Sequence, residues 1–124
     1  LNGVVAFLTT QSGAVENIKN LLKTDDKIYF QNGTLKFPGL KRSIDLVSVE
    51  FDYSPEQRVL HNITLSIKQG EMSALIGSSG AGKTTLANLI PRFHDASDGY
   101  IYIDDVDLQK FEINSLRRQI AVVS

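Results

Sequence analysis

The feature that most constrains this chain is the eight-residue segment Gly77-Ser78-Ser79-Gly80-Ala81-Gly82-Lys83-Thr84, which fits the pattern GxxxxGK[ST] at each fixed position. The glycines allow successive backbone N–H groups to approach a phosphate chain, because Cβ atoms would obstruct the turn. Lys83 would then reach the outer phosphates, and the Thr84 hydroxyl would ligate Mg²⁺. The segment therefore predicts a mononucleotide site that holds phosphates on a P-loop.

The residues on either side of the loop supply the context that this motif requires. Met72 to Ile76 is a short, mostly apolar run, which predicts a strand buried on both faces of a sheet. A helix is predicted to begin near Lys83, where its N-terminal N–H groups and dipole would favour an anion. Its apolar stripe would consist of Leu86, Leu89, Ile90 and Phe93. The alternative to a phosphate site is a purely structural glycine-rich turn between strand and helix, in which Lys83 is exposed to solvent.

The spacing of the same glycines excludes a dinucleotide-binding site. Gly80 and Gly82 could begin the pattern GxGxxG, but Thr85 occupies the position of its last glycine.

Strand patterns precede and follow the loop. Apolar residues alternate with polar ones first at Val47, Val49, Phe51 and Tyr53, and then at Ile63, Leu65 and Ile67. These two runs predict an antiparallel pair of strands joined by a turn at Ser54 to Gln57. Further along, the sequence predicts a strand at Tyr100 to Ile103, a turn at Asp104 and Asp105, a short helix around Ser115 to Gln119 and a strand at Ile120 to Val123.

Composition excludes several other classes of protein. The chain has 124 residues, no cysteine and a formal net charge of −1, which excludes a disulfide framework and a cysteine-based zinc site. A nucleic-acid partner is not expected, because proteins that bind nucleic acids normally carry a basic surface and this chain is close to neutral. His61 and His94 have no partner at metal-ligand spacing, so both are interpreted as surface or interface residues.

The residues before the strands are less informative. Apolar positions within 14–23 predict one face of a helix, which alternatively begins upstream of Val4. Residues 24–43 are polar and broken by Asn32, Gly33, Pro38 and Gly39, and they are interpreted as a linker. Because the first residue is Leu1 and the last ones form an apolar β-branched run, we expect the chain to be an internal piece of a longer protein.

Residues 44–124 resemble the nucleotide-binding domain of ATP-binding cassette (ABC) transporters, in particular of the exporter branch. The resemblance rests on Tyr53 with Pro55, Val59, Leu60, Asn62 and Ile63, on Gly70-Glu71, and on the stretch Leu89-Ile90-Pro91-Arg92-Phe93-His94-Asp95 with Asp98-Gly99. It continues through Ile101, Ile103-Asp104 and Leu116-Arg117-Arg118-Gln119-Ile120. It implies an α/β P-loop fold in which an antiparallel β subdomain is followed by the start of a parallel core sheet.

The resemblance also implies roles for individual residues. Tyr53 would stack on adenine, Val59 would contact the nucleotide, and the Thr85 hydroxyl would contact the α-phosphate. From the residues alone, Tyr53 is better interpreted as a residue that caps the sheet, because aromatic residues are common in strands, and Thr85 as an ordinary residue of the first helical turn. Arg117 and Arg118 are expected to form a solvated helix face, although the resemblance implies that this region lies near the transmembrane interface. The family often has Gly at Asp105, and more usually Tyr and Pro at His94 and Ala96.

The same resemblance divides the chain and implies its partners. Residues 1–23 would be the cytosolic end of the last transmembrane helix, 24–43 a linker, and 44–124 the N-terminal part of the nucleotide-binding domain. Its partners would be a transmembrane domain and a second nucleotide-binding domain, with this region on the cytoplasmic side of a membrane. ATP and Mg²⁺ would bind at the P-loop.

Turnover is a separate question. In this family the carboxylates, signature segment and histidine that complete hydrolysis lie further along the chain, so this segment alone is not expected to hydrolyse ATP. Two alternatives stay open: a truncated nucleotide-binding module without turnover, and another P-loop ATPase such as a kinase or a DNA-linked enzyme.

Overall fold

The computed structural model describes residues 30–123, and residues 31–123 belong to one compact unit. The predicted helix within residues 1–23 lies outside the described residues, as does the first part of the predicted linker.

The centre of this unit is a four-stranded sheet of β1 (Ser43–Ser54), β2 (Gln57–Lys68), β3 (Asp98–Ile103) and β4 (Val106–Asp107). The spatial order is β2-β1-β3-β4, and each neighbouring pair is antiparallel. The predicted antiparallel pair is therefore confirmed, and its two strands are longer than the alternating pattern indicated, at 12 residues each. The two strands enter a tight turn directly, with Ser54 paired to Gln57.

A bulge in β1 changes which side chains face the core. Leu46 pairs with Leu65 and Val49 pairs with Ile63, so one strand has an extra residue between these pairs. Ser48 absorbs the irregularity with φ of +49°. As a result Leu46 and Val49 are buried whereas Val47 is exposed, and the prediction that Val47 shares the buried face is wrong.

Helix α1 (Lys83–Leu89) begins where the sequence predicted. It ends at Leu89, because Pro91 has no N–H to continue the ladder and Arg92 adopts φ of +55°. Phe93 therefore lies beyond the helix and is exposed, so its predicted place in the apolar stripe is wrong. Leu86 and Leu89 keep their predicted buried positions.

The turn between β3 and β4 is formed by Asp104 and Asp105, with φ of +51° and +66°. This left-handed pair confirms the predicted hairpin turn, and aspartate tolerates the conformation better than most residues. The Asp104 carboxylate accepts the backbone N–H groups of Lys41 (2.8 Å), Arg42 (2.6 Å) and Ser43 (3.1 Å). One side chain thus fixes both the hairpin and the chain that enters β1.

A 3₁₀ turn (Leu108–Lys110) and helix α2 (Ile113–Arg117) follow β4. Helix α2 begins two residues before the predicted position. Arg117 donates its Nε–H to the Pro91 carbonyl (2.8 Å), and its guanidinium carbon lies 5.1 Å from the centroid of the Phe93 ring. The prediction that Arg117 belongs to a solvated face is therefore wrong, because this side chain ties α2 to the end of α1.

Two predicted strands are not formed within residues 30–123. Met72–Ile76 and Ile120–Val123 have no strand partner there, and the side chains of Met72 and Ile76 are 99% and 95% exposed. A strand buried on both faces needs hydrogen-bonded neighbours and layers above and below it. The described residues supply neither, so of the predicted fold the antiparallel subdomain is present and the start of a parallel sheet is not.

The core lies between the sheet, α1 and α2. Phe37, from the segment before β1, is part of it and packs edge to face on Phe111, with ring centroids 5.2 Å apart. Its other buried hydrophobic members are Leu46, Val49, Phe51, Leu60, Leu86, Leu89, Ile101, Ile103, Leu108 and Leu116. None of the helices within residues 30–123 has the length and apolar character needed to cross a membrane.

Candidate functional site: a cleft between the sheet and the glycine-rich loop

A cleft of about 460 Å³ separates the end of the β1–β2 hairpin from the loop before α1. Its volume falls within the range of about 300 to 1,000 Å³ that is usual for small-molecule sites. The residues that line it come from the hairpin and from the P-loop with the first turn of α1: Tyr53, Gln57, Val59, Ser79, Gly80, Gly82, Lys83, Thr84 and Thr85.

The path of the loop depends on Gly82. This residue is the N-cap of α1, has φ of +85°, and accepts the N–H of Leu86 (2.8 Å), which closes the first helical turn. A Cβ atom there would lie 2.8 Å from Leu60 Cδ2 and 3.1 Å from Val59 Cγ1. Any larger residue would strain the backbone and displace its neighbours, because the loop packs closely against β2 at this point. Val59 thus forms the wall behind the loop as well as part of the cleft.

Lys83 is folded back over the loop that precedes it. Its Nζ donates to the carbonyl oxygens of Gly77 (2.8 Å) and Ser78 (2.6 Å). The ammonium group is thereby held against the loop, and Lys83 also lines the cleft. An ammonium in this position can exchange carbonyl oxygens for the oxygens of an anion.

The first turn of α1 offers backbone N–H groups and a hydroxyl that an anion and its counterion could contact. No side chain caps the N-terminus of this helix, so its first N–H groups are not satisfied by a capping residue. Gly80 has open space where a Cβ would stand, which leaves room for a ligand to approach the backbone. The exposed Thr84 side chain also lines the cleft and could supply one hydroxyl ligand to Mg²⁺. Within residues 30–123 no group of three or more His, Cys, Asp or Glu side chains could hold a metal.

The opposite wall is aromatic. The Tyr53 ring is half-exposed, and it packs edge to face on Phe51 and on His94, with centroids 4.8 and 5.5 Å away. Its hydroxyl is hydrogen-bonded to the hydroxyl of Thr85, with 3.1 Å between Oη and Oγ1. Thr85 is buried against the sheet, so the aromatic wall and the P-loop helix are directly connected.

The structure brings most of the sequence-predicted residues together. Three of the P-loop residues, Gly77, Ser78 and Ala81, lie outside the cleft lining; the first two supply the carbonyls that hold Lys83.

Sequence reasoning missed two residues of this region. Gln57, at the start of β2, lines the cleft, and His94 lies half-buried behind Tyr53. Neither has a signal in the sequence, because Gln57 meets the P-loop residues, and His94 meets Tyr53, only when distant segments of the chain pack together.

A glycine-rich loop that leads into a helix, a lysine held over it and an aromatic wall opposite are together typical of mononucleotide-binding P-loop proteins. The comparisons with known proteins then narrow this class. Residues 60–124 match the family model of the ABC transporter, which is more than half of the chain. The chain belongs to the ABC transporter family.

Its relatives share the ATP-binding part of such proteins. The chain is 62% identical, over its whole length, to the heterocyst differentiation ATP-binding protein HepA of a Nostoc species, of which it covers 20%. It is 38% identical to the ATP-dependent lipid A-core flippase of Coxiella burnetii, of which it covers 21%. Among solved structures, a bacterial Atm1-family ABC exporter with ATP bound superimposes with a TM-score of 0.69 at 29% identity, over 91% of this chain and 20% of that one. The chain thus spans about a fifth of the length of these relatives.

Proposed function

We propose that this chain binds Mg-ATP, and that the protein that carries it couples ATP binding and hydrolysis to the export of a substrate across a membrane. The observation that supports this proposal most directly is the cleft itself, in which the half-exposed ring of Tyr53 lies opposite the loop 79–83. A base and a phosphate chain are chemically different ligands, and this cleft offers one wall suited to each.

Each residue then has a definite task. The base stacks on the free part of the Tyr53 ring beside Val59, while the phosphates lie along Ser79 to Gly82 and the start of α1. Lys83 moves its ammonium from the Gly77 and Ser78 carbonyls to the outer phosphates. Thr84 ligates Mg²⁺, which when bound neutralises charge on the phosphates, and the Thr85 hydroxyl faces the α-phosphate.

The partners follow from the kind of relatives that the chain has. The ATP-dependent flippase and the ABC exporter to which the chain is similar must couple an ATP site to a path through the membrane. We propose a transmembrane domain, in the same or a partner chain, and a second nucleotide-binding domain as partners, with this region on the cytoplasmic side. Hydrolysis also needs a group that orients the attacking water, and we propose that it takes place in the complete protein.

Replacement of the P-loop lysine tests the proposal. In the complete protein, Lys83→Ala should abolish Mg-ATP hydrolysis, because the outer phosphates lose their cation. The matched control is Lys110→Ala, an exposed lysine after β4 that is outside the cleft, and this variant should hydrolyse ATP like the unmodified protein. Near-normal hydrolysis by Lys83→Ala would contradict the proposed site.

A further inference from the structure

The hydrogen bond between Tyr53 and Thr85 spans the cleft from one wall to the other. Tyr53 is near the end of β1, whereas Thr85 is in the first turn of α1, 32 residues further along the chain. The two hydroxyls lie 3.1 Å apart. Thr85 is 6% exposed and Tyr53 is 50% exposed, so the threonine is fixed in the fold and the tyrosine projects from it.

The remaining contacts of the Tyr53 ring are with two aromatic neighbours. Phe51 and His94 both meet it nearly at right angles, with interplanar angles of 89° and 84°. Phe51 and His94 are themselves in contact, with centroids 5.3 Å apart. These two contacts support the aromatic body of Tyr53. The hydroxyl at the far end of the ring has one polar anchor in the described contacts, which is Thr85.

We propose that Thr85 is a positioning residue for the base, which it orients through the hydroxyl of Tyr53. In this arrangement the angle of the stacking ring is set by the P-loop helix. The affinity for the base then depends on Tyr53 and Thr85 as one unit. This inference rests on the proposed ATP site and deepens it: a contact of Thr85 with phosphate would be a separate role of the same side chain, and the two roles give different results in a double-mutant cycle.

The test is that cycle, carried out in the complete protein with Tyr53→Phe, Thr85→Val and the double variant. Each substitution removes one hydroxyl and keeps the shape of the side chain. Dissociation constants are measured for Mg-ATP and for inorganic tripolyphosphate, which has the phosphates without a base. Tyr100→Phe, on β3 and outside the cleft, is the control for loss of a tyrosine hydroxyl.

Each single variant should weaken Mg-ATP binding by about 2- to 12-fold, the range that corresponds to the loss of one hydrogen bond. The double variant should be no weaker than the weaker single variant, because both changes break the same contact. Tyr53→Phe should lower the affinity for Mg-ATP selectively, with no matching loss for tripolyphosphate. Thr85→Ser, which keeps the hydroxyl, should restore most of the Mg-ATP affinity lost in Thr85→Val.

Two results would overturn the inference. Fully multiplicative effects of the two substitutions would mean that Thr85 acts on the phosphates independently of Tyr53. An unchanged Mg-ATP affinity in Tyr53→Phe would mean that the hydroxyl contact does not orient the ring. Failure of the unmodified protein to bind Mg-ATP would instead overturn the proposed function itself, so the two failures are distinguishable.

Discussion

Arg92 and Asp95 form a two-pronged ion pair at the end of the P-loop helix. Nε and Nη2 of Arg92 donate to the two carboxylate oxygens of Asp95 over 2.8 and 2.9 Å. Arg92 is only 1% exposed, and Nη2 also donates to the carbonyl of Gln31 (3.2 Å). The guanidinium therefore joins the segment before β1 to the turn after α1, at a depth where an unpaired charge is costly.

Removal of the charge on Asp95 should therefore destabilise the fold. Asp95→Asn should lower the free energy of unfolding by about 1 to 3 kcal/mol, because the ion pair of a buried arginine is replaced by a weaker contact with an uncharged amide. Asp105→Asn is the matched control, since Asp105 pairs with Arg42 on an open surface and should change stability by less than about 1 kcal/mol. Chemical denaturation measures both. Equal effects of the two substitutions would contradict the importance of burial.

Local chemistry in the sequence was sufficient to predict some elements. The P-loop, the start of α1 and the Asp104-Asp105 turn each depend on a few adjacent residues whose conformations are restricted by their own side chains. The alternation in β1 predicted the strand but not its bulge. The extra residue at Ser48 results from the register in which β1 pairs with β2, and the local sequence pattern does not predict it.

The sequence predicts the P-loop more completely than it predicts the rest of the cleft. Tyr53 and Thr85 were expected to act on different parts of a nucleotide, and their direct contact emerged only from the packing of β1 on α1. Arg117 illustrates the same limit. A charged residue near the end of a short helix predicts a solvated face, but in the structure Arg117 donates to the carbonyl of Pro91 over 2.8 Å. Long-range partners of polar side chains have no periodic signal in a single sequence.

The stability of the hairpin turn should depend on pH through Asp104. Partial desolvation raises the pKa of Asp104, but three backbone N–H groups and Arg42 outweigh it, so the pKa lies below its ordinary value of 3.8. A carboxyl whose pKa is lower in the folded state stabilises the fold above its unfolded pKa. This contribution is lost as the pH falls through the folded pKa.

The measurement is the free energy of unfolding from pH 7 down to pH 2, compared with that of Asp104→Asn. Asparagine also tolerates a positive φ, so the substitution removes the charge without disrupting the turn. Asp104→Asn should be less stable than the unmodified protein at pH 7. The difference should shrink below about pH 4, where the aspartate becomes protonated. A constant difference across this range would contradict the role of the carboxylate charge.

The close approach of the P-loop to β2 predicts unequal effects at two glycines. Gly82 and Gly80 have similar positive φ values, +85° and +79°, so a Cβ strains the backbone at both. At Gly82 the Cβ would also collide with Leu60 and Val59, whereas at Gly80 it meets nothing within 4 Å. Gly82→Ala should therefore cost about 1 to 3 kcal/mol more stability than Gly80→Ala. Thermal or chemical unfolding measures the stability of the two variants. Equal losses of stability would show that Leu60 and Val59 move aside at little cost.

Removal of the aromatic wall should weaken binding of the base and spare the phosphates. Tyr53→Ala should raise the dissociation constant for Mg-ATP by about 5- to 150-fold, which corresponds to the roughly 1 to 3 kcal/mol of one base stacked on an aromatic ring. Binding of inorganic tripolyphosphate should change much less, because the P-loop stays intact. Tyr100→Ala is the control: this ring is also exposed, but it lies on β3 and stacks on Tyr102 away from the cleft. If Tyr53→Ala bound Mg-ATP as tightly as Tyr100→Ala, Tyr53 would be a residue that caps the sheet, and the base would have to bind elsewhere.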